Sequence, residues 1–140
     1  MAGKTIEEIK IGDSACFEKT LTEGDVYLYA GITGDQNPAH INKVEAEKGL
    51  FKKQVVHGML TAGLISAVLG MQLPGPGTIY MGQELKFTAP VYFGDTVKAT
   101  VTVVERNEEK RIVKLSTVCT NQEGTVVIEG TATVKAPKKQ

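Results

Sequence analysis

From Met59 to Met71 the chain carries no charged residue, and its apolar positions have no polar face opposite them. A helix that is apolar all round has to be enclosed by protein, and this one is too short to cross a bilayer. Leu73-Pro74-Gly75-Pro76-Gly77 ends it, because two prolines and two glycines break any regular period. Beyond that point the spacing changes to two. Ile79, Met81, Leu85 and Phe87 alternate, then Val97, Ala99, Val101 and Val103, then Val113, Leu115, Thr117 and Cys119, then Val126, Ile128, Gly130, Ala132 and Val134. These are strand patterns. The polar turns Asn107–Lys110 and Asn121–Gly124 are short enough for antiparallel hairpins, and Pro90 with Gly94-Asp95 marks a bend.

Upstream, Ile9 to Gly12 reads as a lead-in and Ser14 to Leu21 as a first strand. Thr22 is an N-cap for a helix over Val26–Gly31, with Glu23 and Asp25 as first-turn acids. Asn42 caps a short helix, Lys43–Lys48, which Gly49 stops, and Lys52 to Val56 connects to the apolar helix. The pattern predicts an α+β fold, an antiparallel sheet wrapped around a long buried central helix. The 140 residues are read as one domain, 1–140.

Charge narrows the partners. Sixteen basic residues balance sixteen acidic ones, so neither nucleic acid nor an anionic membrane is an expected partner. Cys16 and Cys119 lack metal-type spacing, and with two histidines in the chain no metal site is expected. Both cysteines read as small apolar residues. Met1-Ala2-Gly3-Lys4 leads into Thr5-Ile6-Glu7-Glu8 rather than an apolar signal core, and the expected location is cytoplasmic.

The chemistry concentrates in Ala30-Gly31-Ile32-Thr33-Gly34-Asp35-Gln36-Asn37-Pro38-Ala39-His40. Gly31, Gly34 and Pro38 argue against a regular helix through this stretch. On a helix Asp35 and His40 would stand about 140° apart around the axis; on a bent loop they converge. A carboxylate and an imidazole aimed at one point can hold and deprotonate a water. Asp35 alone reads as a turn cap, but the company of Asn37, Pro38 and His40 favours catalysis. His57, just before the apolar helix, reads as a histidine bonded to backbone rather than as a catalyst.

Gly34-Asp35-Gln36-Asn37-Pro38-Ala39-His40 and Val55-Val56-His57-Gly58-Met59-Leu60 together resemble the MaoC-like dehydratases, in particular the small (R)-specific 2-enoyl-CoA hydratases. Gly75–Gln83 and Pro90–Asp95 are similar to that family too, so the likeness spans nearly the whole chain. The resemblance implies a hot-dog fold, reversible hydration of trans-2-enoyl-CoA to (R)-3-hydroxyacyl-CoA without a cofactor, and a homodimer or higher homo-oligomer with sites near the subunit interface. It implies Asp35 and His40 as the catalytic pair, Gly58 as the oxyanion donor, and Asn37 and His57 in support. Gly58 opens the apolar helix, where backbone N–H groups lack intrahelical acceptors, and a glycine lets a flat thioester approach closely. The partner implied is an acyl-CoA thioester, with acyl-carrier protein as an alternative carrier. One departure stands out: some relatives carry a serine where this chain has Gly63, so one polar contact near the pair is expected to be missing, with Thr61 and Ser66 nearby.

Other readings remain open at this point. A thioesterase would aim an activated water at the carbonyl instead, and a non-catalytic subunit would only bind the thioester. Gly75-Pro76-Gly77 and Gly94-Asp95 read as turns, and Lys52 and Lys53 as solvated.

Overall fold

In the computed structural model, which describes residues 2–139, the period-two segments form a single five-stranded antiparallel sheet. Its strands are β1 (Ser14–Thr20), β2 (Ile79–Phe87), β3 (Thr96–Asn107), β4 (Ile112–Thr120) and β5 (Val126–Lys135), in the order β1-β3-β4-β5-β2. The helices are α1 (Glu23–Thr33), α2 (Pro38–Ile41), α3 (Lys43–Lys48) and α4 (Gly58–Met71). The sheet wraps around α4, which packs against β1, β2, β3 and β4. This is the hot-dog arrangement expected from the apolar run.

The alternation explains the core. Val97, Ala99, Val101 and Val103 of β3 and Val113, Leu115 and Cys119 of β4 are buried against Leu64, Ile65, Val68 and Leu69 of α4. Ile6 and Ile9 of the lead-in join them, held by Arg106, whose Nη2 donates to the Ile6 carbonyl at 2.7 Å. Burial pushes the Cys119 thiol up to about 11, so it stays a small core residue, while Cys16 is exposed and unpaired. At Gly130 a Cβ would lie 1.8 Å from the Glu84 carbonyl oxygen; only a glycine lets β2 and β5 close up there. No helix among the described residues is long and apolar enough to cross a membrane.

Three expectations need correction. The helix after Thr22 runs from Glu23 to Thr33 rather than over Val26–Gly31, because Thr22 and Asp25 close a reciprocal capping box and Gly34, at φ 83°, ends it in the left-handed region. The Asp/His stretch is not wholly irregular: Pro38 occupies the first turn of α2, where its missing N–H costs nothing. Finally, α4 is not enclosed on all sides. Met59, Gly63, Ser66 and Gly70 form an exposed stripe, and in β2 Ile79 and Met81 are more than half exposed. Side chains that read as core from their spacing therefore lie on an open apolar face. A bulge between Tyr80 and Gly82 interrupts the β2 alternation at the same place.

Candidate active site

Asp35 sits in the short irregular link between α1 and α2. Its N–H donates to Thr33 Oγ1 at 3.1 Å, and its Oδ1 accepts the Asn37 N–H at 3.3 Å. Asn37 in turn caps α2, its Oδ1 accepting the Ala39 N–H at 3.0 Å. One turn of helix then carries His40 back toward Asp35. The α2 backbone is tied to the connector before α4: the Val55 N–H donates to the Ala39 carbonyl, and Gln54 Nε2 donates to the His40 carbonyl and to Tyr27 Oη.

His40 Nδ1 lies 2.7 Å from the Val55 carbonyl oxygen. A carbonyl only accepts, so Nδ1 carries the proton, and in the neutral imidazole Nε2 is the acceptor. His57 is 2 % exposed and places Nε2 2.9 Å from the Asp35 carbonyl oxygen. By the same rule His57 is protonated at Nε2. Its ring stacks on His40 at 3.8 Å with 23° between planes, and on its other contact meets Tyr29 at 4.7 Å.

Gly58 opens α4, and His57 provides no side-chain cap to its N-terminus. The first N–H groups there lack intrahelical acceptors and form the positive end of the helix dipole. A Cβ on Gly58 would come within 2.6 Å of Phe87 Cε1, so any larger residue here displaces that ring. Asp35, His40, His57 and Gly58 all line one cavity of ≈ 490 Å³. Its remaining wall is mainly apolar and includes Phe51, Val56, Met59, Phe87, Val91 and Ile128. A cluster of polar groups in a mainly apolar cavity suits a ligand with a reactive polar head and a hydrocarbon tail. Thr61 lines the cavity too, whereas Gly63 and Ser66 face outward.

Potential metal-ligating atoms of Asp35, His40 and His57 lie within 4.8 Å of one another. The stack makes them a poor chelate. The lone pair of an imidazole lies in its ring plane, and two stacked rings with centroids 3.8 Å apart and 23° between planes do not aim their lone pairs at one metal about 2.0–2.1 Å from both nitrogens. The donor set fits proton transfer better.

The model of the MaoC like domain matches residues 8–127. The chain belongs to the MaoC-like family. An "(R)-specific enoyl-CoA hydratase" of Rhodospirillum rubrum is 56% identical over 95% of this chain and 92% of its own length. Among solved structures, an R-hydratase of Pseudomonas aeruginosa superimposes with a TM-score of 0.92 at 39% identity, covering 98% of this chain and 88% of that one. An (R)-hydratase of Aeromonas caviae involved in PHA biosynthesis gives 0.90 at 40% identity, covering 94% and 99%. In this MaoC-like chain the sequence pattern singled out Asp35, Asn37, His40, His57 and Gly58, and the fold brings them together. It did not single out Gln54, Tyr29, Thr33 or Phe87, whose only signal is proximity created by folding. Lys53, expected to be solvated, is exposed, with its Nζ 4.0 Å from the centroid of the Tyr92 ring.

Proposed function

We propose that this chain adds water reversibly across the double bond of trans-2-enoyl-CoA to give (R)-3-hydroxyacyl-CoA. The observation that carries the reading is that Asp35, His40 and Gly58 line one mainly apolar cavity, with His40 Nδ1 engaged by the Val55 carbonyl so that Nε2 is the ring nitrogen left for proton transfer. Membership of a family whose relatives bear the hydratase name supports it.

In this mechanism Asp35 and His40 hold one water and take a proton from it as its oxygen bonds to the β-carbon. The electron pair of the double bond moves toward the thioester, so that negative charge grows on the carbonyl oxygen. The Gly58 N–H and the helix dipole meet that charge. The proton taken from water returns to the α-carbon, and the pair is restored. Asp35 and His40 act as one coupled acid–base unit. No cofactor enters the balance.

Crotonyl-CoA hydration tests the reading, followed by loss of enoyl-thioester absorbance with chiral analysis of product. Wild type is expected to give the (R)-3-hydroxy product. Asp35→Asn, which removes the basic oxygen at almost constant volume, is expected to abolish turnover. His40→Ala is expected to lose at least about 10²-fold. Release of free CoA thiol in place of hydration would assign the site to hydrolysis instead.

The working unit in this reading is a homodimer. β2 is an edge strand, and Met59, Met71, Ile79, Met81 and Phe87 are each exposed by more than half on or beside α4 and β2. An apolar face joined to a free strand edge calls for a partner, and a second copy matches it by two-fold symmetry.

A further inference from the structure

We infer that His57 is a positioning residue, which fixes the Asp35 backbone through its Nε2–H and supports the His40 ring through its face. The inference rests on the hydration reading of Asp35 and His40. It assigns to His57 a task for which a simple backbone-bonded histidine has no need.

His57 links three parts of the site, Asp35 and His40 through its ring and α4 through its backbone. It immediately precedes Gly58, so its backbone sets where the first N–H groups of α4 point. Its Nε2–H holds the carbonyl of Asp35, a residue in a link with no secondary structure of its own. Its ring, closed in by Tyr29, presents a flat face to His40. The other bonds within the link are short-range: Asp35 N–H to Thr33 Oγ1, Gln36 N–H to the Gly34 carbonyl and Asn37 N–H to Asp35 Oδ1. Without the His57 donor, the Asp35 carbonyl loses its only side-chain partner among the described residues, and the carboxylate can drift relative to Nε2 of His40.

The buried ring offers a further reason to read the residue as built for this task. His57 Nδ1 is inaccessible and has no hydrogen-bond partner, a cost that an apolar side chain of similar size would avoid. Shape and burial alone would be served as well by phenylalanine. The donor at Nε2 is what phenylalanine lacks.

Two measurements separate this inference from the hydration reading. The chain has two histidines, so a long-range ¹H–¹⁵N correlation spectrum contains two imidazoles. At a pH well above the ordinary imidazole range, one ring is expected to be protonated at Nδ1 and the other at Nε2. The spectrum of His57→Gln leaves only His40 and assigns them. A His57 protonated at Nδ1, or averaged between both tautomers, would overturn the inference without any substrate being present.

Kinetics supply the second arm. His57→Phe keeps a flat ring and removes the donor; its kcat is expected to fall about tenfold or more with KM changed by less than about threefold. His57→Gln, whose amide nitrogen can stand in for Nε2–H, is expected to recover kcat to within about fivefold of wild type. Circular dichroism and thermal melts check that each variant is folded. Unchanged kcat in folded His57→Phe, or an equal loss in folded His57→Gln and His57→Phe, would overturn the positioning role. If His57→Phe fails to fold, a folded His57→Gln that has lost the activity does the same. A wild-type protein that hydrates no enoyl thioester would instead overturn the hydration reading, with the tautomers still deciding the anchor.

Discussion

Gly58 is subject to two demands that a single substitution confounds. An added methyl meets the Phe87 ring at 2.6 Å, and in the proposed reaction it also crowds the thioester. Phe87 is 53% exposed, so its ring can give way at moderate cost. Gly58→Ala is expected to lose about 1–3 kcal/mol of stability from overpacking. The double variant Gly58→Ala/Phe87→Leu is expected to regain most of that in denaturant unfolding while kcat/KM stays depressed. Recovery of kcat/KM to the level of Phe87→Leu alone would move the thioester away from this N–H. At the same scale, Asp35 and His40 were legible because the residues that shape their backbone, Gly34, Asn37 and Pro38, adjoin them in sequence. The His40 tautomer was not, since it is set by the carbonyl of Val55, fifteen positions away. The partner of His57 was hidden for the same reason: Asp35 lies twenty-two positions before it.

Elements whose limits are set by local caps could be read closely. Asn42 and Gly49 bound α3 where the side chains alone place it, with Asn42 Oδ1 accepting the Glu45 N–H at 3.1 Å. At α1 the start was legible and the length was not, because the end depends on Gly34 rather than Gly31 taking the left-handed conformation. The capping box makes a prediction of its own. Thr22→Ala removes the acceptor for the Asp25 N–H and is expected to cost about 1 kcal/mol, a fall of roughly 3–5 °C in Tm. The backbone N–H of Thr22, helped by its side chain and by Lys19, holds the Asp25 carboxyl below its ordinary range. A carboxyl depressed in the folded state contributes stability above its unfolded pKa and loses it as pH falls through the folded one. The stability gap between wild type and Asp25→Asn is therefore expected to be widest near neutrality and to shrink below the ordinary carboxylate range. Urea titrations across that window measure it.

For the molecule as a whole, the hot-dog arrangement followed from an uncharged helix and a run of alternating strands. What the pattern could not distinguish was a core shared within one chain from a face left for another. Met59, Ile79 and Met81 have the spacing of core residues, yet stand more than half exposed. Apolar character does not record whether a side chain is covered within its own chain or left on the surface. Met81→Glu places a charge on this face, at a residue that does not line the cavity, and is expected to give a monomer by light scattering where the wild type is proposed to give a dimer. A wild-type monomer at working concentration would remove the second copy from the proposal, and an unchanged dimer in Met81→Glu would move the interface elsewhere.

Gly63 and Gly70 on the open stripe of α4 have nothing within 4 Å of an added Cβ. In an isolated chain, alanine at either position gains about 1 kcal/mol of helix propensity. In the proposed dimer, with this face covered by a second copy, the same methyl is expected to weaken association. The sign of the stability change then depends on dilution: Gly63→Ala is expected to raise Tm in dilute protein and to lower it in concentrated protein, where assembly supplies part of the stability. Two glycines with open space around them in the single chain thus offer a gauge of how much thermal stability self-association supplies in that proposal.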